Sequence, residues 1–330
     1  MKQVWVKVDP WNKDLVTTAL EGGADAVMVP EGYSDRVREL GRITTIAPDG
    51  DLVPGRDVVV LPVDSMDDEG AVVAAAARKR VIVETSDWTI IPLENLIARG
   101  AEVVAEVSTV EDAKTACGIL EHGVWGVLVN AADPGALKEI LGCVRDADAT
   151  VPMQEAEVME VRGLGMGDRV CVDTCTDMGP GEGMLVGNAS RALFLVHAES
   201  ISNPYVAPRP FRVNAGPLHA YTRVPGGKTR YLSELAAGDE VLVADWTGKT
   251  VPAVVGRVKM ERRPLLMIRA SVDGREINTI LQNAETIRLV RPDGSPVSVV
   301  ALASGDRVLV HTEEGARHFG HKIEESISEK

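Results

Sequence analysis

Residues 80–130 read RVIVETSDWTIIPLENLIARGAEVVAEVSTVEDAKTACGILEHGVWGVLVN. Three β-branched runs stand out in this stretch, Arg80–Glu84, Glu102–Val107 and Val124–Asn130, with two helical patterns between them. The helical pattern Leu93–Arg99 stops at Gly100, a residue suited to the left-handed turn that closes a helix. The pattern Thr109–Glu121 opens at Ser108 or Thr109, with Glu111 and Asp112 near the positive end of the helix dipole. The strands are apolar along most of their length instead of alternating, as expected for strands covered on both faces in a parallel sheet. Strand and helix in this rhythm predict an α/β layer.

Toward the N-terminus the same rhythm adds strands at Val4–Val8, Ala26–Pro30, Ile43–Ala47 and Val58–Pro62. A helix over Asp14–Glu21 ends at Gly22-Gly23, and one over Gly135–Arg145 follows Asp133-Pro134. The link Pro48–Arg56 holds Gly and Pro and no helix. Seven strands with mostly short connections fit a modified or incomplete (β/α) barrel better than an open sheet. In either architecture sites gather at the carboxyl ends of the strands. Those ends carry Asp9, Glu31, Asp64, Glu84, Glu106 and Asn130. Carboxylates are common wherever strands meet solvent, so position alone singles out none of them. Glu84 and Glu106 end strands that are consecutive in the chain, which makes them the candidates for sharing a divalent ion, Mn²⁺ or Mg²⁺.

Beyond residue 150 glycine and proline become denser and strand patterns dominate. Leu164-Gly-Met-Gly167-Asp168-Arg-Val170-Cys-Val172 is echoed by Leu235-Ala-Ala-Gly238-Asp239-Glu-Val241-Leu-Val243 and by Leu302-Ala-Ser-Gly305-Asp306-Arg-Val308-Leu-Val310. In this LxxGDxVxV pattern the Gly-Asp reads as a turn and the tail as an alternating strand. The stretches from Gly226 and from Asp293 lead into the second and third copies alike, as a glycine turn, a strand and a tight turn. The predicted organisation is an α/β domain over 1–150 and a β-rich domain over 151–330 built from related hairpin units, as a small barrel or sandwich.

The length of 330 residues suits about two domains, and 45% hydrophobic with 25% charged residues is ordinary for a globular chain. Lys and Arg total 35 against 49 Asp and Glu, a formal net charge of −14. That balance speaks against nucleic acid and against an anionic membrane surface as partners. No apolar run approaches the ~20 residues of a membrane span, and the N-terminus lacks a signal-peptide core, so a cytoplasmic protein is expected. Cys117, Cys143, Cys171 and Cys175 form no CxxC and are expected to be free thiols.

Between the first two repeats lies Gly179-Pro-Gly181-Glu182-Gly183-Met-Leu-Val-Gly187-Asn188-Ala-Ser190-Arg191. Glycines at this density let a backbone approach a ligand or make a wide turn. The run is not the Rossmann fingerprint, which follows a strand and opens a helix. Gly227-Lys228-Thr229 is no phosphate loop, because position 222 is Thr where that motif needs Gly. From His197 to Tyr221 the chain places His197, Glu199, Asn203, Tyr205, Arg209, Arg212, Asn214, His219 and Tyr221 within 25 residues. His197 with Glu199, and His219 with Tyr221, alternate by two and so share a strand face. This density makes the stretch the candidate wall of an active site, suited to metal binding or proton transfer.

The runs Gly167–Cys175, Pro180–Gly187, Ser190–Glu199, Pro208–Gly216, His219-Ala-Tyr221 and Gly227–Leu235 resemble the second type of 3-dehydroquinate synthase, as do Val4-Trp-Val, Trp11-Asn-Lys-Asp and the closing Ala316-Arg-His-Phe-Gly320. The resemblance runs end to end and is densest over 160–245. It implies a small-molecule substrate, 2-amino-3,7-dideoxy-D-threo-hept-6-ulosonate, with NAD⁺ accepting hydride from the amine-bearing C2. Water then releases ammonia, and C7 attacks the new C2 carbonyl to close the ring of 3-dehydroquinate. On that chemistry Arg209 and Arg212, with Asn214, are the expected binders of the substrate carboxylate. His219, Glu199, Lys228 and Tyr221 are the candidates for proton transfer. The cofactor pyrophosphate is assigned to Gly179, Gly181, Gly183 and Gly187 with Asn188 and Arg191. Two alternatives stand beside this one: a metal-dependent relative that makes 3-amino-4-hydroxybenzoate without nicotinamide redox, and a noncatalytic small-molecule-binding protein.

Overall fold

The computed structural model describes residues 2–85, 89–120, 122–146, 150–313, 316–318 and 321–323. The chain divides into two compact units, Met1–Asp148 and Ala149–Lys330. Phe319 and Gly320 of the closing motif, and Glu121 at the end of the helix predicted over Thr109–Glu121, lie outside the described residues.

The first unit carries strands β1 (Gln3–Lys7), β2 (Ala26–Met28), β3 (Thr44–Ile46), β4 (Val58–Val63), β5 (Arg80–Thr85), β6 (Val103–Val107) and β7 (Gly126–Val129). Its helices are α1 (Lys13–Glu21), α2 (Ser34–Leu40), α3 (Met66–Ala76), α4 (Ile90–Ala98), α5 (Val110–Gly118) and α6 (Pro134–Asp146). Local chemistry sets the helix ends. The Asn12 side chain accepts from the amides of Asp14 (2.9 Å) and Leu15 (3.3 Å) at the start of α1. Thr109 and Asp112 form a reciprocal capping box at the start of α5.

All pairings in this unit are parallel, in the order β3-β2-β1-β7-β6-β5-β4. This is the order of a (β/α) barrel opened between its third and fourth strands, a curled half-barrel. The opening falls at the Pro48–Arg56 link, the connection without a helix. That link lies along both open edges, bridging Ile46 to Leu52 and Pro54 to Val58, and so covers backbone groups that would otherwise invite a foreign strand.

Side chains alternate across the sheet. Val4, Val6, Val27, Val81, Val83, Val103, Val127 and Val129 pack against helix residues such as Leu15, Leu93, Leu96 and Leu137. Trp5, Ala26, Ile46, Val58, Ile82, Val104 and Leu128 form a second, smaller core on the other face. Burying a side chain the size of Leu128 stabilises by about 1.5–3 kcal/mol, so this inner layer holds the curl.

The second unit contains β8 (Gln154–Thr174), β9 (Glu182–Ala189), β10 (Ala192–His197), β11 (Arg212–Pro217), β12 (Tyr221–Val224), β13 (Lys228–Tyr231), β14 (Glu240–Asp245), β15 (Thr250–Val272), β16 (Arg275–Gln282), β17 (Arg288–Val290), β18 (Pro296–Ser298) and β19 (Arg307–Thr312). The antiparallel pairings β9–β14–β15–β8–β19–β10–β9 close on themselves. One face of this ring carries the core of Val170, Val172, Met184, Phe194, Val213 and Val308 with their neighbours.

The second and third repeats are structurally equivalent. Gly238 (φ 92°) and Gly305 (φ 94°) turn the chain. Asp239 accepts from the Ala236 amide at 2.7 Å, and Asp306 from the Ala303 amide at 2.9 Å. Gly238 donates to the Val255 carbonyl and Gly305 to the Val158 carbonyl, each at 2.8 Å. The hairpins β12–β13 and β17–β18 precede the two turns and flank β9 and β10 respectively. The first copy departs from the expectation. Gly167-Asp168 makes no turn but lies inside β8, opposite Arg263 and Arg262 of β15. Pairing along the whole of β15 overrides the local turn signal, and a Cβ at Gly167 would stand 2.6 Å from Leu265.

Candidate active site

On the inner face of the half-barrel, one residue pair beyond the Trp5–Leu128 layer, the alternation brings Lys7, Glu84, Glu106 and Asn130 to the carboxyl ends of β1, β5, β6 and β7. Lys7 Nζ sits 3.2 Å from both oxygens of Glu106. Asn130 Nδ2 donates to Glu106 Oε1 at 2.7 Å. The two charged side chains are 29% and 20% exposed, sheltered but reachable. Glu84 is level with Glu106 on the neighbouring strand and exposed. Asp9, Glu31 and Asp64 at other strand ends are exposed as well. On the loops after β1 and β2, Trp11 and Tyr33 stack at 4.9 Å, with the Arg36 guanidinium 5.1 Å from the Tyr33 ring.

The Glu84–Glu106 pair does not fit the expected divalent ion. The Lys7 ammonium already neutralises Glu106. Among the described residues, no three His, Cys, Asp or Glu stand together as ligands.

In the second unit, Arg169, Cys171 and Asp173 alternate along β8 on the face opposite the core. Arg212 and Asn214 of β11 and Arg257, Lys259 and Glu261 of β15 stand opposite them. Arg212 Nε and Nη2 donate to Asp173 at 2.6 and 2.8 Å. Arg257 reaches the same carboxylate at 2.9 and 2.5 Å. Burial by itself pushes the Asp173 carboxyl up, but hydrogen bonds and charge from the two arginines outweigh it and hold the group below the usual carboxylate range. The bond to Asp173 raises the Arg212 pKa. Arg169 contacts Cys171 Sγ and donates to Glu261 at 3.0 Å. Burial pushes the Cys171 thiol up to about 11, which leaves it a poor nucleophile at neutral pH.

This grid gathers several of the expected residues and pairs them within the protein. The expected carboxylate clamp Arg212 is a buried, already paired cation, its two-pronged edge occupied by Asp173. Arg209, 41% exposed at its side chain, pairs with Glu199 at 3.2 Å, and backbone bonds knit Glu199 to Arg209 and Arg212. Asn214 Nδ2 donates to Gln282 at 2.9 Å, and its Oδ1 is buried with no hydrogen-bond partner.

The expected proton-transfer groups do not converge. His219 is exposed between β11 and β12. Tyr221 meets the Tyr231 hydroxyl at 2.7 Å. Lys228 is exposed at the hairpin tip, where it pairs with Val224, while Tyr231 pairs with Tyr221 at the other end. About 10 Å of strand separates those ends. His197, counted in the dense stretch, is structural. It is buried, its Nε2 accepts from the Gly181 amide at 2.9 Å and its Nδ1 faces the Ala198 carbonyl at 2.5 Å, an arrangement that assigns the proton to Nδ1.

The glycine run does not fit a pyrophosphate. The Gly179 amide is held by Glu182 Oε2 at 2.7 Å, and the Gly181 amide by His197. Gly181 has φ 82°, and a Cβ there would stand 2.9 Å from the Trp246 ring. A Cβ at Gly183 would lie 1.9 Å from the Val196 carbonyl oxygen, and one at Gly187 would lie 2.2 Å from that of Ala192. These glycines admit a neighbouring strand, not a ligand. Asn188 donates to Asn278 at 2.5 Å. Arg191 is exposed at the far end of β9, roughly 25 Å of strand from Gly181, and lines a cavity of about 640 Å³ with Arg275 and Glu313.

Sequence reasoning named Glu106 and Asn130 but missed Lys7, and it named Arg212 without its partner Asp173 or the neighbouring Arg257. The available signal was phase: in Val4-Trp-Val-Lys-Val8, Lys7 alternates with Trp5 and against the valines. None of the four cysteines is in a disulfide. Among the described residues no helix is long and apolar enough to cross a membrane.

Comparison with known proteins covers both units. A family model described as the 3-dehydroquinate synthase II N-terminal domain matches residues 1–144, and one described as the C-terminal domain matches 155–330. A protein of Methanoculleus marisnigri named 3-dehydroquinate synthase is 53% identical over 330 residues, covering 100% of each chain. An Aquifex aeolicus protein named 3-dehydroquinate synthase homolog is 49% identical over 331 residues, and a 3-dehydroquinate synthase of Methanocaldococcus jannaschii is 48% identical over 361, each again covering 100% of both chains. With half-barrel and β ring each matched by its own domain model, the chain belongs to the 3-dehydroquinate synthase II family.

Proposed function

We propose that this protein converts 2-amino-3,7-dideoxy-D-threo-hept-6-ulosonate to 3-dehydroquinate by oxidative deamination and intramolecular aldol closure. The observation that carries the reading is family membership across both units, at about half identity to proteins named for that product. The half-barrel adds a charged layer at the carboxyl ends of its strands, where α/β enzymes place their chemistry.

Removing the amine needs a hydride acceptor, which a nicotinamide dinucleotide supplies when bound. The Gly179–Gly187 run does not fit its pyrophosphate, and no residue is assigned to it. The chain's own contribution is a site in which Lys7, Glu106 and Asn130 present a cation, a carboxylate and an amide to a polar substrate.

Purified protein given the amino-keto acid and NAD⁺ is expected to produce ammonia, reduced-nicotinamide absorbance and 3-dehydroquinate together. Formation of an aminohydroxybenzoate with no NAD⁺ present would move the reading to the metal-dependent relative. Binding of the amino-keto acid without turnover would move it to a binding protein.

A further inference from the structure

We infer that Lys7 is an amine catalyst, condensing through Nζ with the substrate ketone, and that Glu106 exchanges the protons of that step. This deepens the proposed function and rests on it. Three features carry it. Among the described residues Lys7 is the lone cation of the inner polar layer, directly above Trp5 and beside Asn130, where it pairs with Met28 at the end of a strand that has neighbours on both sides. Its partner carboxylate lies 3.2 Å away through both oxygens, near enough to take a proton from Nζ. Asn130 holds that carboxylate at 2.7 Å and so orients it. A single partly exposed ion pair adds little to stability, so stability alone gives little reason to place a lysine in this layer.

The reaction has a matching need. The methyl C7 must lose a proton to become a nucleophile, and a neutral ketone acidifies it weakly. Nζ, after giving a proton to Glu106, adds to C6 and forms a C–N bond. The carbinol oxygen takes a proton and leaves as water, giving an iminium. C7 gives a proton to the Glu106 carboxylate, and the electron pair moves into the enamine. After C2 has become a carbonyl, enamine C7 bonds to it, and the C2 oxygen is protonated to the tertiary alcohol. Water then adds to the iminium, restores the ketone and frees Nζ. No electron is gained or lost in this sequence, so the amine role is separable from the oxidation at C2. Lys7 and Glu106 are the catalytic residues, and Asn130 is a positioning residue.

The substrate carries its C6 ketone from the start, so the condensation is testable without NAD⁺. Wild-type protein mixed with the amino-keto acid and sodium borohydride is expected to gain the mass of the substrate less one oxygen atom, on the peptide that contains Lys7. Lys7→Arg keeps the charge beside Glu106, and it should form no adduct and lose turnover by roughly 10²–10⁴-fold while its melting curve stays in place. Asn130→Ala should form the adduct more slowly and shift the pH profile of turnover. A wild-type enzyme that turns substrate over with no adduct at Lys7, or a Lys7→Arg variant of normal turnover, overturns the amine role and leaves the reaction standing. An adduct at Lys7 with no 3-dehydroquinate under any condition retains the amine role and overturns the reaction. Neither adduct nor turnover overturns both.

Discussion

Replacing Asp173 by alanine tests whether Arg212 is a structural cation or a free substrate clamp. The Arg212 and Asp173 side chains are 11% and 7% exposed and joined by two short bonds. Removing the carboxylate strands a buried guanidinium, at a cost of about 3–5 kcal/mol. Arg257 touches the same carboxylate, but its side chain is 63% exposed, so Arg257→Ala costs about 0–1 kcal/mol. In a unit of this size about 1 kcal/mol moves the melting temperature by roughly 2–4 °C. Calorimetry of the whole chain should therefore show a fall of roughly 6–20 °C for Asp173→Ala and at most about 4 °C for Arg257→Ala. Removing both buried charges, Asp173→Ala with Arg212→Met, should recover most of the loss. The pH dependence has a definite sign. The folded carboxyl titrates below its ordinary range. Its contribution is thus complete above the ordinary aspartate pKa and is lost as pH falls through the folded value. The gap between wild type and Asp173→Ala should close in acid, below about pH 4. Equal, small shifts for Asp173→Ala and Arg257→Ala would refute the reasoning, since burial is what separates them.

Other consequences follow from single residues. Burial lowers the His197 pKa, so the unfolded chain takes up its proton first and stability declines as pH falls below about 6.5. In urea titrations at pH 7 and 5, His197→Gln should show a smaller difference than wild type, and an unchanged difference would assign the decline elsewhere. Gly183→Ala drives a Cβ to 1.9 Å from the Val196 oxygen and should cost about 1–3 kcal/mol or more. Gly163→Ala on β8, with nothing within 4 Å, should be neutral or stabilise by up to about 1 kcal/mol, and the reverse order of these melting temperatures would defeat the account of the glycines.

The seven parallel strands were legible because fully covered strands must be apolar throughout, and the helix-free link between residues 48 and 56 marks where the barrel opens. Helix α3 was harder to see. Its sequence MDDEGAVVAAA is alanine-rich, contains Gly70 and has little amphipathic contrast. Helix α2 has only seven residues. The turn read into Gly167-Asp168 failed because a long-range partner, β15, supplies hydrogen bonds that the local pattern does not know about. The site was limited in the same way. Glu106 stood out as a strand-end carboxylate, but its partner Lys7 is 99 residues away and reaches it across β7, a neighbour made by the wrap of the sheet. Arg212 stood out as a cation, yet its role depends on Asp173, 39 residues earlier. Residue type was readable at each place; pairing, which decides function, was not.

The break in the half-barrel and the place of its polar layer bear on each other. The open edges are β3 and β4. Lys7, Asn130, Glu106 and Glu84 stand on β1, β7, β6 and β5, four adjacent strands that each pair on both sides. A side chain on such a strand has its backbone fixed by two ladders. A Lys–Glu–Asn contact built there therefore needs no loop ordering to form. The edge strands, by contrast, contribute apolar or exposed residues at the same level. A barrel that loses closure between its third and fourth strands thus retains its charged layer in register, provided that the layer sits on the strands farthest from the break. In this chain the Lys7–Asn130–Glu106 contact does, on β1, β7 and β6, and the pairing of Lys7 with Glu106 across β7 spans the junction between the first and last strands that a closed barrel would also have.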